Sequence, residues 1–190
     1  DNAVTFCTVV KTIAASNGLC ADFSPKPIAD QPGSGFHINM SVRGSNDDQM
    51  QHMIGGVLCH VADMTRFLNP TVQSYNRLGV FKAPKYISWS NNNRSMLIRI
   101  PAASGEYRRM ELRSPDCTAN PYIAFALLIW AALDGMKNEI ILPEKANVNL
   151  YTAGPKDVWD METLPMSLSS ASKQAESSAF IREHLPESLI

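Results

Sequence analysis

Arg108-Arg109-Met110-Glu111-Leu112-Arg113 concentrates more chemistry than any other stretch of this chain. In a strand, successive side chains alternate between faces, so Arg109, Glu111 and Arg113 share one face while Met110 and Leu112 turn into a core. Two guanidinium groups flanking a carboxylate on one rigid face suit an anionic substrate, and the carboxylate stays free to hold a metal ion. The same three residues also read as a structural ion-pair ladder.

A second strand carries a matching pattern. Across Gly33-Ser34-Gly35-Phe36-His37-Ile38-Asn39-Met40-Ser41-Val42, the residues Phe36, Ile38, Met40 and Val42 form an apolar face, and His37, Asn39 and Ser41 a polar one. That polar face lines up a metal-capable imidazole, an amide and a hydroxyl. The glycines ahead of it permit close backbone approach to a ligand. Half solvation alone would produce the same alternation.

The third piece is Asn93-Arg94-Ser95-Met96-Leu97-Ile98-Arg99-Ile100-Pro101. Arg94 and Arg99 have opposite parity, so one regular strand cannot aim both at one site, and Arg94 is expected in the turn after Asn91-Asn92-Asn93. Arg99 interrupts an apolar run and requires an anionic partner there. With Arg109 and Arg113 this makes a concentration of guanidinium groups suited to bidentate carboxylate and phosphate contacts.

These strands need helices to support them. Phe6, Val9, Val10 and Ile13 recur at helical spacing, and Asn17-Gly18 supplies a stop. A second helix is expected from about Asn46 to Phe67, with Met50, Met53, Ile54, Val57, Leu58 and Val61 inward. His52 and His60 on it read as packing or surface residues. Asn120 caps a third helix, Pro121 occupies its first turn and Gly135 is expected to end it. A loop through Gly154-Pro155 precedes short helices over 167–177 and 178–184. Strands are expected over 20–23, 34–43, 86–89, 95–101 and 108–113. Long helices between paired strands predict an α+β fold, an antiparallel β-sheet packed with helices, whose polar face is the site.

Composition narrows the function classes. The 190 residues suffice for one domain with a real core. A formal net charge of −1 favours neither nucleic acid nor a membrane surface. Cys7, Cys20, Cys59 and Cys117 show no CxxC pairing, so reduced thiols are expected rather than disulfides or a zinc site. The apolar run 124–133 is too short to span a bilayer. With no signal peptide in view, a cytoplasmic location is expected.

The chain resembles the glutamine synthetase family. The resemblance rests on Gly33-Ser34-Gly35-Phe36-His37, Asn69-Pro70-Thr71-Val72-Gln73-Ser74-Tyr75-Asn76-Arg77-Leu78, Asn93-Arg94-Ser95, Ile98-Arg99-Ile100-Pro101, Arg108-Arg109-Met110-Glu111-Leu112-Arg113 and Asn120-Pro121-Tyr122-Ile123-Ala124-Phe125-Ala126, in the family's order and near its spacing. Phe23-Ser24-Pro25-Lys26-Pro27 resembles the segment before the glycine motif. The likeness runs to about residue 143 and weakens after it.

The resemblance implies a ligase of nitrogen metabolism that uses ATP to form γ-glutamyl phosphate, which ammonia then converts to glutamine. By carry-over, His37 and Glu111 ligate the Mg²⁺ or Mn²⁺ that bridges the ATP phosphates. Gly33, Arg77 and Arg113 hold glutamate. Arg94 meets both the transferred phosphoryl group and the substrate, while Asn39, Ser41, Arg99 and Arg109 face nucleotide. Residues 77–84 resemble the mobile flap over the glutamate site, one residue shorter than in many members, with Lys82 at its catalytic position.

Four departures stand out. Pro32 replaces a frequent Asn, Asn39 replaces a nucleotide-contacting His, and Glu106 falls near a nucleotide-facing Lys. Lys82 stands where many members carry a Glu that helps close the site and accepts a proton from ammonia. In the family the carboxylates completing the metal sites lie upstream, as does the smaller N-terminal domain that closes a neighbour's active site in a homo-oligomeric ring. Residues 1–190 are therefore expected to be a fragment of the catalytic domain, inactive alone. Three readings follow: a glutamate–ammonia ligase, a sibling joining glutamate to another amine, or a non-catalytic relative.

Overall fold

The computed structural model describes residues 2–44, 46–103 and 105–190, with the Glu106 side chain outside those described. The described residues form six α-helices: α1 (Asn2–Ser16), α2 (Asp47–Leu68), α3 (Val72–Tyr75), α4 (Pro121–Lys137), α5 (Leu168–Ser177) and α6 (Ala179–His184). Strands β1 (Ile38–Met40), β2 (Trp89–Asn91), β3 (Ile98–Ile100) and β4 (Met110–Leu112) form a sheet in the order β1-β4-β3-β2. The mixed α+β class agrees with the sequence.

Helix α2 is the spine of the core. Asn46 caps it reciprocally: its side chain accepts from the Gln49 backbone N–H at 2.8 Å, and the Gln49 side chain accepts from the Asn46 N–H at 3.2 Å. All six residues expected to face inward are buried. Each such side chain contributes about 1.5–3 kcal/mol through its removal from water. Asn120 caps α4 by accepting from the Tyr122 N–H at 3.0 Å, with Pro121 at the first position. Ser167 and Ser178 cap α5 and α6, as their place at the starts of those segments suggests.

Gly135 does not end its helix. It lies inside α4, which continues to Lys137, and it faces α2. A Cβ at Gly135 would stand 2.1 Å from the His52 carbonyl oxygen, and one at Gly56 would stand 2.2 Å from the Ala131 carbonyl oxygen. The glycines are there because the two helix backbones touch, a requirement of tertiary packing rather than of termination. His52 and His60 join this packing. Nδ1 of His52 lies 3.0 Å from the Ile140 oxygen, and Nε2 of His60 lies 2.7 Å from Asp134 Oδ2 while its ring stacks on Phe180.

The strands are shorter than expected, β2 lies at 89–91 rather than 86–89, and residues 20–23 form none. β1–β4 and β3–β4 pair antiparallel, whereas β2 and β3 run parallel. Residues 92–97 cross back to start the parallel β3, and Asn92 at the head of this connection adopts φ +57°, a conformation Asn tolerates better than most residues. The sheet's apolar side (Ile38, Ile98, Ile100, Met110 and Leu112) enters one core with α2, α4, α5 and α6. Helix α1 forms, but Phe6, Val9 and Ile13 remain exposed. No described helix is long and apolar enough to cross a membrane, and all four cysteines are free.

Candidate active site

The register brings the polar side chains into one row. Asn39 stands opposite Glu111, Glu111 opposite Arg99, and Arg99 opposite Ser90. Alternation puts these four on the face away from the core. Glu111 is the centre of the row. Its Oε2 accepts from Arg113 Nη1 at 3.0 Å and lies 2.9 Å from Arg99 Nε, and its Oε1 lies 3.5 Å from His37 Nδ1. Arg99 therefore has the anionic partner its burial requires, and Arg94 lies in the turn ahead of β3, exposed.

One buried N–H group at this centre lacks an acceptor. The Nε of Arg113 makes no hydrogen bond among the described residues, whereas that of Arg99 faces Glu111. An unsatisfied buried donor costs about 1–3 kcal/mol, so ligand oxygens placed there would be bound with that much advantage. The cationic excess acts in the same direction. Arg77, Lys82 and Arg113 line one cleft of about 190 Å³ together with Pro32, Gly33 and His37. The ion pairs of the ladder reading are present, and they leave the Arg113 Nε without an acceptor beside a cleft rich in cations.

The environment also prepares the two metal-ligand candidates. Burial pushes the His37 pKa down, the Arg113 charge adds to that, and Glu111 offsets it only in part. Burial alone would raise the Glu111 pKa, but the hydrogen bond and charge of Arg113, with the charges of Arg99 and His37, bring it below the ordinary value. A neutral imidazole beside an ionised carboxylate is the pair of states that a cation needs. No group of three or more His, Cys, Asp or Glu that could hold a metal occurs among the described residues. His37 and Glu111 thus fit as two ligands of an ion whose other donors come from elsewhere.

Arg77 and the glycines also pack closely against the chain itself. Arg77 is buried, donating to the Ser114 oxygen at 2.6 Å and the Arg113 oxygen at 3.3 Å. A Cβ at Gly33 would stand 2.4 Å from the Pro25 oxygen, and one at Gly35 would stand 2.8 Å from Arg77 Nη2. These glycines let the backbone pass close to the protein's own Pro25 and Arg77, and both glycines also line the cleft of about 190 Å³.

The remaining candidates divide into groups. Asn39 Oδ1 accepts from Arg109 Nε at 3.0 Å, so this pair sits together at the β1–β4 edge. Ser41 lines a separate cleft of about 540 Å³ with Asp47, Tyr107 and Arg108. Lys82 faces the anion cleft, whereas Arg94 is not among the residues lining it.

Residues that sequence reasoning did not single out hold the site from behind. Asp116 is fully buried; its Oδ2 accepts from Asn69 Nδ2 at 3.0 Å and its Oδ1 from the Thr118 N–H at 2.9 Å. Asn69 also donates to the Ser114 oxygen at 2.9 Å, and the Phe36 N–H donates to the Pro115 oxygen at 2.8 Å. This buried carboxylate joins the end of α2 to the segments carrying His37 and Arg113. Asn69-Pro70 and Pro115-Asp116, polar residues beside prolines after apolar runs, were the available signal.

A family model described as the glutamine synthetase catalytic domain matches residues 1–190. The chain belongs to that family. Glutamine synthetase from Methanosarcina mazei is 43% identical over 203 residues, covering 98% of this chain and 45% of that protein. Those from Pyrococcus abyssi and Thermotoga maritima are 41% and 40% identical, each again covering 98% of this chain and 46% of the relative. The chain thus spans about half the length of the curated glutamine synthetases it matches. Among solved structures, apo GmaS without ligand is 30% identical, with a TM-score of 0.83 over 96% of this chain and 45% of that one. A GmaS/ADP complex is 28% identical, with a TM-score of 0.84 over 98% and 46%.

Proposed function

We propose that the full-length protein is an ATP-dependent glutamate–ammonia ligase that forms glutamine through γ-glutamyl phosphate. Residues 1–190 would be part of its catalytic domain, in a cytoplasmic homo-oligomeric ring. The observation that carries the reading is the position of Glu111, with Arg99 and Arg113 at one oxygen and His37 at the other. Family membership supports it, as does the ADP complex of a structural relative.

In this reading Arg113, Arg77 and Gly33 receive glutamate in the cationic cleft. Arg113 donates through the Nε that lacks an acceptor, so the substrate carboxylate satisfies a buried group while its own charge is offset. Arg94 meets the phosphoryl group as it passes from ATP to the glutamate γ-carboxylate. The Asn39–Arg109 pair, with Ser41 and Arg99, contacts nucleotide. His37 and Glu111 would hold Mg²⁺ or Mn²⁺, which when bound offsets charge on the ATP phosphates. Ammonia nitrogen then attacks the acyl carbon, phosphate leaves, and nitrogen loses a proton. Lys82, standing over the cleft, is the residue of this chain closest in sequence to that proton transfer in the family pattern.

The test is phosphate release from ATP by the full-length protein, with glutamate and ammonium supplied separately and together. Release that requires both, with glutamine formed in step, is the expected result. Release indifferent to glutamate overturns the reading. Pro32 and Lys82, the two departures that line the cleft, favour a second reading in which another amine is joined to glutamate. Saturation by a primary amine at concentrations where ammonium is ineffective would select it.

A further inference from the structure

Residues 148–151 lie beyond the family-like motifs, yet they grip the Arg94 turn at several points. Asn93 Nδ2 donates to the Val148 oxygen at 2.9 Å, the Leu150 N–H donates to Ser95 Oγ at 2.9 Å, and Ser95 Oγ donates to Asn93 Oδ1 at 2.8 Å. The Tyr151 N–H donates to Asn149 Oδ1 at 3.1 Å, which fixes where its ring leaves the backbone. From there the Tyr151 hydroxyl reaches two carbonyl oxygens, Arg94 in a close hydrogen bond and Lys82 at 3.4 Å. A phenol carries one proton, so the two carbonyls share it.

We propose that Tyr151 is a positioning residue that ties the flap, residues 77–84, to the Arg94 turn. Arg77 and Leu78 anchor the start of the flap in the interior, but its tip has little else to fix it. Its internal bonds are a short set, Gly79 N–H to the Ala83 oxygen at 3.1 Å, Val80 N–H to Arg77 at 3.2 Å and Ala83 N–H to Val80 at 3.2 Å. Its tip includes Phe81 at φ +53°, a left-handed conformation that an aromatic residue holds only under constraint. Lys26 over the Phe81 ring, at 4.3 Å from its centroid, is one restraint on that tip, and Tyr151 supplies another at Lys82. Tyr151 sits beside Gly79, Lys85 and Ser95 in a cleft of about 300 Å³, so movement of the flap is open to it. The tie therefore sets Lys82 and Arg94, on separate loops, at a common distance. Its kinetic meaning rests on the ligase reading above.

The experiment is Tyr151→Phe in the full-length protein, which removes one half-exposed hydroxyl and leaves the ring. Amide exchange of Gly79, Val80 and Ala83 is expected to quicken about 3–10-fold while that of α2 stays unchanged. KM for glutamate is expected to rise about 5-fold or more with KM for ATP within about twofold, and more phosphate is released per amide formed, as a looser flap admits water to the acyl phosphate. Flap exchange equal to wild type overturns the proposal, whatever the kinetics. A uniform fall in kcat with a lower Tm and an unchanged glutamate KM also overturns it, since that is the mark of a merely structural hydroxyl. A wild type with no glutamate-dependent ATP turnover overturns the ligase reading instead, and the exchange measurement still decides the tie.

Discussion

Nδ1 of His37 stands 3.5 Å from Oε1 of Glu111, while Arg99 and Arg113 approach the other carboxylate oxygen. The carboxylate thereby keeps one oxygen for a cation while the other organises the guanidinium groups around an anion. Both partners depend on the same side chain, which makes Glu111 a structural residue as well as a ligand candidate.

Glu111→Ala should accordingly lower stability as well as abolish activity. Arg113 is 5% exposed, and without Glu111 its charge and that of Arg99 face each other uncompensated. Breaking a buried pair in this way costs about 3–5 kcal/mol; with Glu111 only part-buried, the lower end is expected. Added phosphate should restore part of the lost Tm by occupying the vacated position. A Tm equal to wild type would show that the arginines have other partners.

The acid limb of stability provides a second check on the same group. The folded pKa of Glu111 is depressed, so its contribution is present above the ordinary carboxylate value and is lost as pH falls through the folded one. Glu111→Gln removes that titration. Its unfolding free energy should fall less steeply below the ordinary glutamate pKa than the wild type's. Parallel acid limbs would mean that Glu111 gains nothing from its neighbours on folding.

Asp116→Ala should be more damaging than Thr118→Val. The alanine leaves one of the two Asn69 Nδ2–H groups without an acceptor in a fully buried place, a cost of about 1–3 kcal/mol, and removes the acceptor of the part-buried Thr118 N–H. The valine removes only a hydroxyl bond on the side away from Asn69. Comparing denaturant midpoints decides it, and equal losses would argue against Asp116 as the joint behind the cleft.

How much of this was legible in the sequence follows from which forces are local. Alternation put Glu111, Arg109 and Arg113 on one face, and the isolated Arg99 announced a carboxylate partner, because both are consequences of strand geometry and charge burial. Helix α2 was readable from its apolar spacing. The parallel β2–β3 pair was not, because three-residue strands leave pairing to the 92–97 connection and to tertiary contacts. Gly135 was misread for a plain reason. A glycine that serves a close approach looks the same as one that serves a turn or a ligand until its neighbour in space is known. Asp116 was overlooked because a buried carboxylate with only neutral hydrogen-bond donors has no charge pattern along the chain.

Gly135→Ala isolates that lesson. Alanine is the better helix former by about 1 kcal/mol, so a helix judged alone would gain stability. Here the added methyl would lie 2.1 Å from the His52 carbonyl and 2.7 Å from the Gly56 nitrogen, both backbone atoms that cannot rotate away. The α2–α4 crossing must open, which costs about 1–3 kcal/mol or more and outweighs the propensity gain. A lower Tm is expected, and an unchanged or raised Tm would mean that the helices are farther apart in solution.

Lys82→Glu tests the departure most exposed to substrate. Lys82 lines the same cleft as His37, Arg77 and Arg113, so its ammonium group adds to a site already rich in positive charge. In water-rich surroundings two unit charges about 4 Å apart interact by about 1 kcal/mol, rising to about 4 kcal/mol nearer the protein interior. Reversing the sign changes the local field twice over, removing a repulsion for ammonium and supplying an attraction, while a carboxylate can also take up the proton that nitrogen loses. In the full-length protein, KM for ammonium should fall by about tenfold, equivalent to about 1.4 kcal/mol. KM for ATP should stay within about twofold, because the nucleotide candidates Asn39 and Arg109 pair away from this cleft at the β1–β4 edge. Glutamate affinity should weaken modestly as one cation is lost. Ammonium dependence identical to wild type would mean that Lys82 points out of the closed site and that its charge has no part in the choice of amine.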